Sequence, residues 1–282
     1  MVAQQLAADD RSQSVRVMTG PDSRRPGPPA GDNAKTRVDG PGLTQVTPYA
    51  RMPGGGISRR PLHFIILADC SGGMKGEKIQ ALNFAIADML PHLAAWERDQ
   101  EQAQVFIRAI AFATEPWWHI AEPQPAAELS WKPLQPVPKG LTNMGPAFAL
   151  AAQALGAGRI ERRALRPALL LITDGLATDP PGRFEAGLST LMDQPAGKAA
   201  LRLAIAIGRD ARSAALDRFI GDPGVPVLVA DSSEDIAERL VAASLAVSRM
   251  SEAGADRGAV ARRLLGPPGD VPSGIFDQDT IV

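Results

Sequence analysis

The sequence predicts an α/β fold: a doubly wound, mostly parallel central sheet with helices on both faces, a Rossmann-like arrangement. Three observations predict it. Several short runs of Ile, Leu and Val are continuous in hydrophobicity, as strands buried on both faces must be. Longer segments between them carry apolar residues at helical spacing, and the two kinds of segment alternate along the chain.

Taken in order, residues 62–68 (LHFIILA) are too short an apolar run for a stable helix and read as a central strand. Residues 79–93 place Leu82, Ile86, Met89, Leu90 and Leu93 on one helical face, and residues 105–112 return to a strand pattern. The segment GLTNMGPAFALAAQAL sets Thr142 just before a helix that Asn143 is placed to cap. Residues 168–173 (ALLLIT), 201–207 (LRLAIAI) and 225–229 (VPVLV) read as further strands, with helices over 184–192, 213–220 and 233–247. Residues 1–60 concentrate Pro and Gly (PDSRRPGPPAGDN, VDGPGL, RMPGGGISRRP) and hold too few large apolar side chains to offset the entropy of ordering them. A disordered arm is expected there, a domain over 61–253, and a flexible tail over 254–282, where Gly266, Pro267, Pro268 and Gly269 break any helix.

Charge and composition exclude several functions. With 30 basic against 31 acidic residues, the net charge of -1 leaves no excess positive field for a phosphate backbone, so nucleic acid is not an expected partner. A single cysteine forms no internal disulfide, the first residues lack the pattern of a signal peptide, and no apolar stretch is long enough to span a bilayer. A cytoplasmic protein without membrane contact is expected.

Ligands of doubly wound sheets bind at the carboxyl ends of the strands. The first strand ends in Asp69-Cys70-Ser71-Gly72-Gly73-Met74, and the ALLLIT strand ends at Asp174-Gly175. With Thr142, three separate segments deliver two carboxylates and two hydroxyls to one edge. Such an all-oxygen, incompletely filled set suits Mg²⁺ or Mn²⁺ rather than Zn²⁺, with water or a partner's carboxylate completing the shell.

These residues resemble the metal-ion-dependent adhesion site of von Willebrand factor A domains, which carries Asp-x-Ser-x-Ser, a Thr and an Asp on three loops. Asp69 and Ser71 match the first element, Thr142 in GLTN the second, and Asp174 in LLITDG the third, over roughly residues 61–250. PLHFIILADCSGGMKGEKIQALN and LLLITDGLATD look most like the bacterial tellurite-resistance-associated (TerY-like) group of that family. The resemblance implies a protein-binding module and not an enzyme. In it, Ser71 and Thr142 hold the metal directly, Asp69 and Asp174 act mostly through water, and the open position takes an Asp or Glu of a partner. By analogy with that group, a PP2C-type phosphatase and a Ser/Thr kinase are expected partners in a stress response. The sequence departs from the pattern at Gly73, where the family has a second Ser, and at Leu141, where a Gly often precedes the Thr.

Two other readings use the same residues: a metal-dependent phosphohydrolase, and a scaffold with a non-functional site. Neither a general base nor a phosphate-cradling Gly loop accompanies the carboxylates. Ser71 lacks a GxSxG context and a triad His. The FDQDTIV terminus resembles a haloacid-dehalogenase nucleophile motif, but no domain follows it to complete that fold. Its last residues, Thr280, Ile281 and Val282, instead fit the carboxylate-terminated pattern that PDZ grooves bind. Asp179 reads as a turn or cap residue, Trp117, Trp118 and His119 as sheet-edge packing, and Arg159, Arg162, Arg163 and Arg166 as a solvated loop.

Overall fold

The structure, a computed structural model, describes residues 59–99, 103–208, 213–250, 259–260 and 265–266. The chain divides into two units, residues 1–51 and 52–282, and every described residue lies in the second. Of the arm expected over 1–60, residues 1–58 lie outside the described residues, as does the Thr280-Ile281-Val282 terminus, while Arg60 already belongs to the first strand.

Six strands form one sheet: β1 (Arg60–Asp69), β2 (Ala103–Phe112), β3 (Pro116–Pro125), β4 (Ala168–Thr173), β5 (Leu201–Ile207) and β6 (Leu228–Ala230). Their order across the sheet is β3-β2-β1-β4-β5-β6, and all pairs are parallel except β2 with β3. The doubly wound, mostly parallel arrangement expected from the sequence is therefore present. β1 and β4 are buried along nearly their whole length. Their unbroken apolar sequences follow from having helices on both faces.

The helices are α1 (Glu77–Asp99), α2 (Met144–Ala154), α3 (Arg183–Met192), α4 (Pro195–Ala199), α5 (Ala214–Ile220) and α6 (Ser233–Met250). α1 packs beside α6. On another layer Phe148 of α2 stacks on Phe219 of α5 at 4.9 Å and meets the edge of Phe184 of α3 at 5.4 Å. α2 and α3 approach unusually closely because both are glycine at the crossing. A Cβ on Gly187 would lie 1.9 Å from the Gly145 carbonyl oxygen, and one on Gly145 would lie 2.2 Å from that of Arg183.

The structure corrects the expectation in four places. β3 was not foreseen as a strand, because Pro116, Pro123 and Pro125 interrupt it and only Ile120 within it is buried. β6 starts at Leu228 rather than at residue 225, since Pro226 has no N–H for a ladder, although Val225 and Val227 are buried. Asn143 does not cap α2 through its side chain. The Asp179 carboxylate does so instead, accepting from Met144 N at 2.9 Å and Gly145 N at 2.8 Å. Finally, Leu265 and Gly266, inside the segment expected to be a free tail, are buried, with Leu265 in the core and Arg239 Nη1 donating to the Gly266 carbonyl.

Candidate metal centre

β1 and β4 lie side by side, and the chain winds one way from β1 to β2 and the other way from β4 to β5. This is the switch point of a doubly wound sheet, where the loops after adjacent strands part and leave a crevice. Asp69 is the last residue of β1 and Asp174 the first after β4, so parallel pairing alone brings both carboxylates to this edge.

Asp69 is fully buried, Ser71 is 3% exposed and Thr142 6%. Asp69 is held at both oxygens: Oδ1 accepts from Ser71 N at 2.7 Å, and Oδ2 from the Thr173 hydroxyl at 2.6 Å. Burial pushes its carboxyl up to about 6, against the lowering effect of the Thr173 and Ser71 hydrogen bonds, and the nearby Asp174 charge adds to the rise. Cys70 is also fully buried, and its thiol is pushed up to about 12 by burial and by Asp69. Cys70 belongs to the core cluster and is a packing residue.

Thr142 reaches the site on a strap that runs from β3 to α2. Val137 N donates to the Cys70 carbonyl at 2.7 Å, and Gly72 N donates to the Gly140 carbonyl at 3.0 Å, so the strap is stitched to the loop after β1. Thr142 N donates to the Thr178 hydroxyl at 2.8 Å and Thr178 N to the Thr142 carbonyl at 2.9 Å, which ties it to the loop after β4. A Cβ at Gly175 would lie 3.6 Å from the Thr142 hydroxyl oxygen. Further back, Asn83 of α1 clamps the strap: its Oδ1 accepts from Trp131 Nε1 and Leu134 N, and its Nδ2 donates to the Leu134 carbonyl.

Asp174 has a side chain 5% exposed, and its Oδ2 is paired with the Lys78 ammonium from the first turn of α1. A Cβ at Gly73 would lie 2.9 Å from Asp174 Oδ2 and 3.1 Å from Oδ1. Gly73 therefore faces the site, as its place in the motif requires. Its φ is not in the left-handed region, so the backbone there does not demand glycine.

All four residues singled out in the sequence, Asp69, Ser71, Thr142 and Asp174, are thus on three loops bonded to one another. Sequence reasoning missed Thr173 and Lys78. Among the described residues no three His, Cys, Asp or Glu side chains cluster as a ready-made cage. The donor chemistry nonetheless fits a hard cation, because two hydroxyls and two carboxylates with no thiolate or imidazole leave positions for water. The three histidines are engaged elsewhere: His63 with Glu161, His92 near Asp88, and His119 with the Lys132 carbonyl. Trp118 packs on the core at the sheet edge, and the four loop arginines are exposed.

No protein-family model and no curated protein matches the sequence. Solved structures do share the fold. A von Willebrand factor type A protein from Catenulispora acidiphila superposes with a TM-score of 0.53 at 17% identity, over 67% of this chain and 43% of that one. The pilus adhesin SpaC from Lactobacillus rhamnosus GG, in an open conformation, gives 0.52 at 12% identity, over 68% of this chain and 30% of that one. The conserved hypothetical protein BatB from Bacteroides thetaiotaomicron gives 0.50 at 16% identity, over 67% of this chain and 98% of that one. This chain spans less than half the length of the Catenulispora protein. The fold is that of a von Willebrand factor A-type domain. No described helix is long and apolar enough to cross a membrane.

Proposed function

We propose that this chain is a protein-binding module in which a divalent cation, Mg²⁺ or Mn²⁺, bridges the site to an Asp or Glu of a partner. The observation that carries the reading is the convergence of Asp69, Ser71, Thr142 and Asp174 at the switch point, on loops stitched by the Gly72–Gly140 and Thr142–Thr178 backbone bonds. The Ser71 and Thr142 hydroxyls are the direct ligands, and Asp69 and Asp174 orient bound waters. When bound, the cation supplies a Lewis-acidic position for a carboxylate oxygen.

The reading is of a binding module rather than an enzyme, and it is supported by the donor set itself: among the described residues no imidazole accompanies the carboxylates. The phosphatase and kinase of a tellurite-type stress response, in a reducing cytoplasm, are the first partners to test. In a pull-down with the full chain as bait, bound partners should be retained in Mg²⁺ or Mn²⁺ and lost in EDTA or with Asp69→Ala. Retention in EDTA refutes the reading, and so does metal-dependent ester or phosphoester turnover abolished by Asp69→Ala.

A further inference from the structure

The two carboxylates of the site are held in different ways. Asp69 is fixed by the backbone N–H of Ser71 and by the Thr173 hydroxyl at the end of a central strand, both short and buried. Asp174 is held by Lys78, whose side chain is 43% exposed and sits on four rotatable bonds. The glycine at 73 clears the approach, since a Cβ there would press on the same Oδ2 that the ammonium binds. A cation therefore already sits on the site's most accessible carboxylate, and it is part of the chain.

We infer that Lys78 is an intramolecular competitor for the cation site: its ammonium holds Asp174 while no metal is bound and is displaced when a divalent ion arrives. The inference rests on the metal reading above. A second seat for the ammonium lies next to the first. Lys78 lines a cavity of about 590 Å³ between α1 and the carboxyl ends of β5 and β6, together with Glu77, Asp231, Glu234 and the exposed Phe84. Three carboxylates there stabilise the displaced charge. Metal loading thus moves one positive charge from the site into this cavity, and the two occupancies exclude each other.

Competition makes a statement that a plain ion pair does not. If the Lys78–Asp174 pair only fixed the loop, breaking it would leave metal affinity unchanged or lower it. Removing a competing cation instead exposes a more negative site to the metal, so affinity rises. The test is calorimetric titration of Mg²⁺ and Mn²⁺ into the full chain as wild type, Lys78→Met, Lys78→Gln and Lys78→Arg, each also in the Asp69→Ala background, with the metal-induced shift in Tm as a second readout.

Lys78→Met and Lys78→Gln are expected to bind at least tenfold more tightly than wild type and to show larger Tm shifts. Lys78→Arg should stay as weak as wild type, and Asp69→Ala should abolish the gain. Equal or weaker binding by both neutral variants overturns the inference and leaves the metal reading standing if wild type binds through Asp69. Binding by the neutral variants alone, lost with Asp69→Ala, supports the inference while removing metal-dependent partner capture from the native chain. No binding by any variant, or binding indifferent to Asp69→Ala, overturns it.

Discussion

Asp69 meets opposed demands, because a metal wants it ionised while its burial favours the proton. Its carboxyl titrates near 6 in the fold against an ordinary 3.8, so in this interval the unfolded chain loses the proton first. The group's contribution to metal-free stability is therefore complete below 3.8 and is lost as pH rises through about 6, a change of about 3 kcal/mol at most. Denaturant unfolding in EDTA between pH 3.5 and 7 should show wild type losing this much relative to Asp69→Asn; a pH-independent difference contradicts it. Gly73 yields a second expectation. Its backbone accepts a side chain, but a Ser Cβ would crowd Asp174. Gly73→Ser should lower Tm in EDTA and raise Mg²⁺ affinity by up to about thirtyfold through replacement of a bound water. Calorimetry beside a melt with and without Mg²⁺ checks both, and unchanged affinity counts against hydroxyl ligation at 73. Asp69, Ser71 and Asp174 were legible as neighbours because the ends of parallel strands share one edge, and Thr142 because GLTN before a helix resembles the second element of the family motif. Thr173 and Lys78 were not. A strand threonine and a first-turn lysine look like ordinary packing and solvation until β1 lies beside β4 and α1 is docked.

At the scale of elements, the site depends on a strap with little regular structure of its own. Residues 126–143 put Ala126 and Leu134 into the core and are fixed by a few polar contacts, chiefly Asn83 on α1 and the bonds to Cys70 and Gly72. Asn83→Ala removes the acceptor for Trp131 Nε1 and Leu134 N together, at a cost of about 2 kcal/mol for the orphaned groups. Hydrogen exchange should show Leu134 and its neighbours losing protection while the amides of β1 and β4 keep theirs; uniform loss would mean the strap is no separate unit. Strands β1, β2, β4 and β5 and every helix but the five-residue α4 could be read because burial on a parallel sheet writes itself as continuous apolar runs and helical periodicity. The strap and β3 could not, since proline-rich chain carries neither period and its partners lie far off in sequence. The cap of α2 fell to Asp179 for the same reason: a loop after β4, not the residue before the helix, supplies the carboxylate.

For the whole molecule, the two ends of the sheet have a consequence for life at high concentration. An open sheet presents unpaired N–H and C=O groups at its outer strands, and long, regular ones template association with further copies. Here one outer strand, β6, is only 3 residues long. The other, β3, carries Pro116, Pro123 and Pro125, each lacking the donor that a newcomer would need, and its pairing with β2 is irregular between Ile107 and Ile110. Neither border is a good template for growth of the sheet. The prolines that hid β3 from sequence inspection thus make that border of the sheet a poor template for a further strand.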